Sequence, residues 1–344
     1  MNKHIKYGTY LLSILIFISL GWWGNDYYKS FLNPDTSLLS WNKPKPLEKY
    51  TLESLSRTKF KPSKININKN IFDFEVDGPP TGEAAKKVTG LVNIPETSTQ
   101  SPIVVLLRGY VDQSIYQTGV GTKRVGEYFS DNGYITLAPD FLGYGGSDPQ
   151  SENIFESRFQ TYTTALTLIA SINKENFPSW DGKNIFIWAH SNGGQIALTT
   201  LAVTGKNYPT VLWAPVTEAF PYSVLYYTNE SDDGGKFIRN KLSNFEEDYD
   251  VDKFSFTNYL DRVNAPIEYH WGTADDAISS EWRDRFLNKI KKLGKDVTNY
   301  NHSGADHNMN PLWDDVIKQS LVFFNSKKIY VVLEYPRLQT FRKS

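Results

Sequence analysis

Apolar and polar residues alternate between residues 65 and 76, with the period that is typical of half-buried antiparallel strands. A further strand is predicted over residues 88–94. Residues 103–107 are continuously apolar, as in a strand that is buried on both of its faces. The pattern therefore predicts antiparallel strands first, followed by the entry of the chain into a buried parallel sheet.

Beyond residue 107, segments with the strand period alternate with segments that have the helical period. One helical stripe has apolar residues at successive spacings of four, three, four and three: Phe155, Phe159, Tyr162, Leu166 and Ile169. The other predicted elements are helices over 123–129, 280–293 and 313–324, and strands over 134–137, 185–188, 210–213, 267–271 and 297–301. This alternation predicts an α/β fold with a mostly parallel central sheet and helices on both faces.

The first 28 residues carry the features of an export signal. Lys3 and Lys6 precede the uncharged apolar stretch Tyr7–Trp23, which is close to the ~17-residue minimum for spanning a bilayer. Because positive residues favour the cytoplasmic side, the N-terminus is predicted inside and the rest of the chain outside. We predict an uncleaved anchor in the lipid bilayer. The alternative is cleavage as a signal peptide, which would release a secreted protein.

Composition divides the rest of the chain. Residues 29–61 contain three prolines among many polar residues and are interpreted as a linker or a loosely packed lead-in to the domain. Residues 62–325 form the predicted globular domain. Within it, the aromatic and acidic segment 221–260 is interpreted as either a cap over the strand ends or a surface excursion. Residues 326–344 form a C-terminal tail, either an edge strand or loosely attached.

The chain has 344 residues, a formal net charge of −1 and no cysteine. The near-neutral charge argues against a nucleic acid partner. The lack of cysteine excludes disulfide bonds, thiolate metal sites and a cysteine nucleophile. No metal or cofactor is expected, so the chemistry has to come from hydroxyl, carboxyl and imidazole groups.

A candidate nucleophile lies in the sequence IFIWAHSNGGQIAL, residues 185–198. An apolar strand leads to Ser191 and a helical pattern leaves it, which is the arrangement of a nucleophile elbow. Ala189 and Gly193, two residues to either side, are small enough for the strand and helix to cross closely. The alternative is an ordinary turn rich in Ser, Asn and Gly, but the flanking elements favour the elbow.

A serine nucleophile needs a base, and the chain has five histidines. Three are unsuitable: His4 lies in the N-terminal segment, His190 is directed away from the serine, and His270 lies within a predicted strand. His302 and His307 both follow the last predicted strand. We favour His307, because it lies on a loop that can reach over the strand ends, whereas His302 is interpreted as structural.

The acid is expected between the serine and the histidine, in a loop after the preceding strand. The sequence WGTADD, residues 271–276, supplies Asp275 and Asp276 at this position. We favour Asp275 and interpret Asp276 as a solvated turn residue or a helix cap. Asp275 would orient His307 and stabilise its charged form, while His307 takes the proton of Ser191 and returns it to the leaving group.

Two backbone N–H groups are expected to bind the oxyanion, one after the nucleophile and one in the loop after an earlier strand. Asn192 supplies the first. Tyr110, at the end of the sequence LLRGY, is the predicted source of the second. The alternative is that Arg108 and Tyr110 only pack or pair on the surface.

With these motifs in view, residues 88–325 resemble the α/β-hydrolase superfamily, and within it a prolyl oligopeptidase-like catalytic domain of the dipeptidyl or acylaminoacyl peptidase type. The motifs, in family order, are VTGLVNIPE, IVVLLRGY, APDFLGYGGSD, AHSNGG, WGTADDAI and SGADHNMN. WGTADD is similar to the family's HGTADD, whose first aspartate is catalytic, and GADHN is similar to its G-x-x-H element. The resemblance thus implies the catalytic roles of Asp275 and His307.

The chain departs from the family pattern at three positions. Arg108 replaces the histidine that usually precedes the oxyanion glycine, and Ala189 replaces the first glycine of the elbow. Trp271 stands where a histidine is usual. None of these changes removes a triad group, but Arg108 alters the oxyanion loop.

These observations predict a membrane-anchored serine hydrolase that cleaves peptide, amide or ester bonds of a small-molecule or peptide substrate through an acyl-enzyme. A prolyl oligopeptidase-like peptidase is favoured on the resemblance alone. A carboxylesterase or an acyltransferase of the same fold is the alternative. Outside enzymes, the alternative is a catalytically dead hydrolase fold used for binding, which the complete triad argues against.

Overall fold

A mixed nine-stranded sheet forms the centre of the structure, a computed structural model that describes residues 44–76, 84–96 and 100–329. The strands are β1 (Asn66–Asn68), β2 (Ile71–Val76), β3 (Lys86–Asn93), β4 (Ser101–Leu107), β5 (Ile135–Pro139), β6 (Trp180–His190), β7 (Thr210–Trp213), β8 (Ile267–Gly272) and β9 (Val297–His302). The helices are α1 (Leu52–Arg57), α2 (Lys123–Asp131), α3 (Ile154–Ala170), α4 (Asn192–Thr204), α5 (Tyr222–Tyr226), α6 (Lys236–Asp248), α7 (Ser280–Lys292) and α8 (Trp313–Lys327). Short 3₁₀ helices cover Pro46–Tyr50, Gln113–Ile115, Tyr227–Glu230, Val251–Phe254 and Phe256–Arg262.

The strand order across the sheet is β1-β2-β3-β5-β4-β6-β7-β8-β9. The pairs β1–β2, β2–β3 and β3–β5 are antiparallel, and every other neighbouring pair is parallel. The predicted fold class, a mostly parallel α/β sheet preceded by antiparallel strands, is therefore confirmed. His190 pairs with Trp213, and Gly272 pairs with His302, so the carboxyl ends of β6 to β9 share one edge. Ligands of open α/β sheets bind at this edge.

Strand β4 shows why an unbroken apolar run forms the middle of the sheet. All of its residues are buried. Ile103, Val105 and Leu107 belong to one hydrophobic cluster, whereas Val104 and Leu106 belong to a second. Because successive side chains of a strand point to opposite faces, the two clusters are the two cores on either side of the sheet.

The apolar stripe predicted from the spacing of residues 155–169 forms the buried face of α3. The helix begins after Asn153, whose side chain accepts hydrogen bonds from the backbone N–H groups of Phe155 and Glu156. Such a cap satisfies donors that have no partner within the helix. Amphipathic spacing and a capping residue thus account together for where this helix forms and where it starts.

The prediction of a linker over residues 29–61 is wrong for the part of it that the structure describes. Leu47, Tyr50, Leu52 and Leu55 are buried in the hydrophobic cluster that contains Ile103. The ring of Tyr50 lies 5.7 Å from that of Phe159, centroid to centroid. A few apolar residues in a polar segment gave no clear period, and contact with a helix one hundred residues later in the chain decided their burial.

The segment predicted as a cap or a surface excursion, residues 221–260, is attached to the core by aromatic contacts. Phe245 of α6 packs on Phe155 of α3 with ring centroids 5.0 Å apart. At its other side, the Tyr227 hydroxyl donates a hydrogen bond to the carbonyl oxygen of Ala277 at 3.0 Å. The segment therefore reaches the loop that follows β8, which favours a cap over a plain excursion.

Within residues 44–76, 84–96 and 100–329, no helix is both long enough and apolar enough to cross a bilayer. The predicted anchor over residues 1–28 lies outside the described residues, as does nearly all of the predicted tail over 326–344.

Candidate active site

Ser191 lies between β6 and α4 in a strained turn. Its φ is 53° and its ψ is −121°, which is unusual for a residue with a side chain. The helix that follows crosses β4 so closely that a Cβ atom on Gly193 would overlap the carbonyl oxygen of Leu107. The Ser191 carbonyl oxygen accepts a hydrogen bond from the N–H of Val216 at 2.9 Å, which holds the turn against the segment after β7. Strand, sharp turn and helix occur as predicted.

The structure brings the predicted base and acid together. His307 Nδ1 lies 3.0 Å and 3.1 Å from the two carboxylate oxygens of Asp275. The Asp275 side chain is fully buried, and one of its oxygens also accepts hydrogen bonds from the N–H groups of Ala277 and Ile278. These contacts hold the carboxylate so that it orients the imidazole. Asp276, the alternative acid, is exposed.

Two loops that cross at the sheet edge place this pair. The N–H of Thr273, after β8, donates to the carbonyl oxygen of His302 at 2.9 Å. The N–H of Ala274 donates to the carbonyl oxygen of Ala305, also at 2.9 Å. The parallel pairing of β8 with β9 therefore continues into the loops, so that residues 32 positions apart in sequence meet.

Among the described residues, the Ser191 hydroxyl makes no hydrogen bond with His307. His190, which precedes Ser191 in the chain, lies beside His307, with ring centroids 4.7 Å apart. Catalytic hydrogen bonds are often formed only when the substrate is bound, so this arrangement does not argue against the pair.

The loop that is predicted to bind the oxyanion passes directly against Ser191, the predicted nucleophile. A Cβ atom on Gly109 would lie 3.0 Å from Ser191 Cβ and 3.5 Å from its Oγ. Asn192 is the first residue of α4, where backbone N–H groups lack partners within the helix. The N–H groups of Asn192 and Tyr110 remain the predicted oxyanion donors. The Tyr110 side chain is 75% exposed, so its backbone alone carries the predicted role.

Arg108 holds this loop from the inside. Its Nη1 donates to the carbonyl oxygen of Gly109 and its Nη2 to that of Asp140, both at 2.9 Å. The guanidinium lies over the rings of Tyr144 and Tyr116, at 4.2 Å and 4.5 Å from the centroids. Arg108 is buried, so of the two alternatives for it, packing is observed and pairing on the surface is not. At the position where the resembled family usually has a histidine, this chain therefore has a cation that is held by two backbone carbonyl groups.

The sequence did not indicate that Asp140 also supports the loop that contains Arg108. The buried carboxylate of Asp140 accepts hydrogen bonds from the hydroxyls of Thr89, Tyr116 and Thr118 at 2.6, 2.6 and 2.8 Å. Burial, with this hydrogen bond as a second cause, raises the pKa of Tyr116 far above its usual value. The motif APDFLGYGGSD contained Asp140, but its partners come from loops that are distant in sequence.

His302, the alternative base, belongs to a different cluster. Its Nε2 lies 2.8 Å from His270 Nδ1, and His270 Nε2 lies 2.9 Å from the carboxyl group of Glu268. Burial raises the pKa of Glu268 to about 8 and lowers the pKa of His302 to about 4. The cluster ties β8 to the end of β9, and its contacts agree with the structural interpretation of His302.

Glu268 leads to a prediction about stability. Its pKa is higher in the folded protein than in the unfolded chain, so the folded state keeps a proton that the unfolded state has lost. Stability is therefore lost as the pH rises from the usual glutamate pKa of 4.5 to about 8, and the loss levels off above that pH. Relative to Glu268→Gln, which stays neutral, the wild type should lose about 1 kcal/mol per pH unit between pH 6 and 8. Urea unfolding across this range measures the difference, and parallel profiles would contradict it.

Three comparisons place this geometry among known proteins. A sequence-family model described as serine aminopeptidase, S33, matches residues 99–251. The match covers less than half of the chain. It includes Ser191 and ends before Asp275 and His307.

A curated relative is acetyl esterase Axe7A of Xylanibacter ruminicola, which is 25% identical over 174 residues. The alignment covers 49% of this chain and 37% of the relative. The chain thus spans little more than a third of that protein's length.

Solved structures share the fold. Acetyl xylan esterase 1 from Thermoanaerobacterium sp. superposes with a TM-score of 0.59 at 14% identity, over 83% of this chain and 95% of that one. The acylaminoacyl peptidase of Pyrococcus horikoshii superposes with a TM-score of 0.56 at 18% identity, over 79% of this chain and 43% of that one. At these identities the likeness shows the fold alone. The chain therefore has the fold of these structures, the α/β-hydrolase fold.

Proposed function

We propose that the protein is an esterase in which Ser191, His307 and Asp275 form the catalytic triad. The observation that carries the proposal is the contact of His307 with the buried Asp275 carboxylate, beside the strained turn of Ser191. His307 takes the hydroxyl proton as Ser191 Oγ attacks the ester carbonyl, and Asp275 stabilises the resulting imidazolium. The tetrahedral intermediate collapses, and His307 returns the proton to the departing alcohol.

The acyl-enzyme is then hydrolysed by the same groups. Water attacks the acyl carbon while His307 takes its proton, and Ser191 leaves with that proton as the carboxylic acid is released. In both steps negative charge develops on the carbonyl oxygen. The N–H groups of Asn192 and Tyr110 are the proposed donors to it, and a single donor of this kind is worth roughly 3 kcal/mol of barrier.

The preference for an ester revises the expectation of a peptidase. The curated relative is an acetyl esterase, which makes acetyl esters the first substrates to test. An aminopeptidase would in addition need a free carboxylate to bind the substrate's ammonium group. Glu218, whose backbone carbonyl accepts a hydrogen bond from Gln195 of α4, has its carboxylate paired with Arg285. Glu246 and Glu247, the candidates by composition, are exposed on α6.

A peptidase remains the second candidate, because the matching family model is described as a serine aminopeptidase. A prolyl oligopeptidase-like preference is the form of it that the sequence motifs favour. An amide differs from an ester only in its leaving group, which His307 would protonate in the same way.

A matched set of substrates separates the two candidates. The full-length protein is assayed with 4-nitrophenyl acetate and butyrate, and with the 4-nitroanilides of alanine and glycyl-proline. Each kcat/KM is divided by the uncatalysed rate, because esters are intrinsically more reactive. We expect the larger acceleration for the esters. A larger acceleration for the anilides would reject the esterase in favour of a peptidase.

We further propose that residues 1–28 anchor the protein in a membrane with the catalytic domain outside the cytoplasm. The support is the sequence pattern, with Lys3 and Lys6 before an uncharged apolar stretch. The full-length protein should resist carbonate extraction and be cut by protease added outside the cell. A mature protein that begins near Trp22 would instead support a cleaved signal peptide.

A further inference from the structure

We propose that His190 is a positioning residue, whose imidazole holds the main chain of the base His307 in place next to the oxyanion loop. The inference rests on the proposed triad, because it concerns how that triad is held. His190 Nε2 lies 2.9 Å from the backbone carbonyl oxygen of His307. A carbonyl oxygen only accepts, so Nε2 carries the hydrogen and donates it.

The opposite side of the same ring faces the oxyanion loop. His190 Nδ1 lies only 3.3 Å from the point where a Cβ atom on Gly109 would be. The ring also stacks on Trp188 of β6, with centroids 6.3 Å apart and planes 19° apart. One side chain therefore lies between the loop that carries the base and the loop that carries a predicted oxyanion donor.

The imidazole of His190 is neutral, which suits a residue that positions His307. Burial, and next the nearby charge of His307, lower the pKa of His190 to about 4. A second cation beside His307 would disfavour the imidazolium that forms there during catalysis. A neutral donor holds the carbonyl group without that repulsion.

Packing alone does not fix the ring. His190 lines a cavity of about 480 Å³, together with Asn308, Trp313 and the residues at the start of α2. Because His190 also borders this open space, packing does not enclose the ring completely, and the hydrogen bond to His307 adds a directional contact. A ring of the same shape that lacks the donor should leave the base loop less well placed.

Substituting His190 with amide side chains of different length tests this inference. The side-chain nitrogen of glutamine can occupy the place of Nε2, whereas that of asparagine corresponds to Nδ1 and falls short. We expect His190→Asn and His190→Phe to lower kcat by about 10- to 100-fold, as for a small misplacement of a catalytic group, with KM within about twofold. His190→Gln should recover most of the loss.

The controls separate positioning from folding. Thermal unfolding is measured for all three variants, and the comparison of kcat uses those whose melting temperature is close to that of the wild type. Wild-type kcat in His190→Phe, or equal losses in the Gln and Asn variants, would overturn the inference. Ser191→Ala is assayed in parallel. Activity in that variant would refute the triad itself, whereas an unaffected His190→Phe in an enzyme that needs Ser191 would refute only the role of His190.

Discussion

Replacing Ser191 with alanine should lower turnover by about 10⁴- to 10⁶-fold, as expected for the loss of a triad nucleophile. The serine occupies a strained turn at the start of α4, and the proposed oxyanion loop passes against it. Alanine keeps this backbone but has no hydroxyl, so no acyl-enzyme can form. Steady-state hydrolysis of 4-nitrophenyl acetate measures the loss, and labelling by a fluorophosphonate probe reports on the nucleophile directly.

Ser303 offers the matched control. It is an exposed serine in the loop that leads from β9 to His307. Ser303→Ala makes the same chemical change in the same part of the sheet edge and should keep its activity and its labelling. A Ser191→Ala enzyme that keeps more than about a tenth of its turnover would show that the nucleophile lies elsewhere, since triads lose far more.

Replacing His307 with alanine should be about as damaging as the change at Ser191, whereas His302→Ala should leave kcat largely intact. His307 contacts Asp275 at the sheet edge, but His302 is bound to His270 within the structure. The cost of His302→Ala should therefore appear as lower stability, because His270 loses a partner. Measuring both kcat and the urea midpoint for each variant separates the two roles.

The double variant Ser191→Ala/His307→Ala provides a second test. Groups that act as one catalytic unit are not additive, so the double variant should be no worse than either single one. If the two losses multiply, His307 does not act through Ser191. A severe loss of kcat in His302→Ala, together with near-wild-type kcat in His307→Ala, would show that His302 is the base.

Much of the fold could be predicted because its signals are local. The helix α2 begins at Lys123 and the strand β7 covers Thr210–Trp213, as the apolar pattern indicated. A buried strand of a parallel sheet has to be apolar on both faces, and β4 is. Element bounds were less accurate, and β6 extends from Trp180, well before the predicted start at residue 185. Its first half is polar and partly exposed, so hydrophobicity did not reveal it.

The candidate site could also be predicted from the sequence, because the order of the motifs and the positions of the strand ends leave few possible triad residues. One elbow serine, an acid after a later strand and a histidine after the last strand left few choices, and the parallel sheet brings those strand ends together. The residues that support the site could not be predicted in this way. Arg108 and Asp140 have partners that lie in other loops, so no spacing along the chain indicated their contacts.

The sequence by itself determined the fold class, the strained turn at Ser191 and the choice of Asp275 and His307, because periodicity, turn residues and motif order are properties of the chain. Only the tertiary structure decided that Leu47 is part of the core and that His190 bonds to the backbone of His307. Both depend on contacts between segments more than fifty residues apart, and such contacts form only when the sheet and its helices pack.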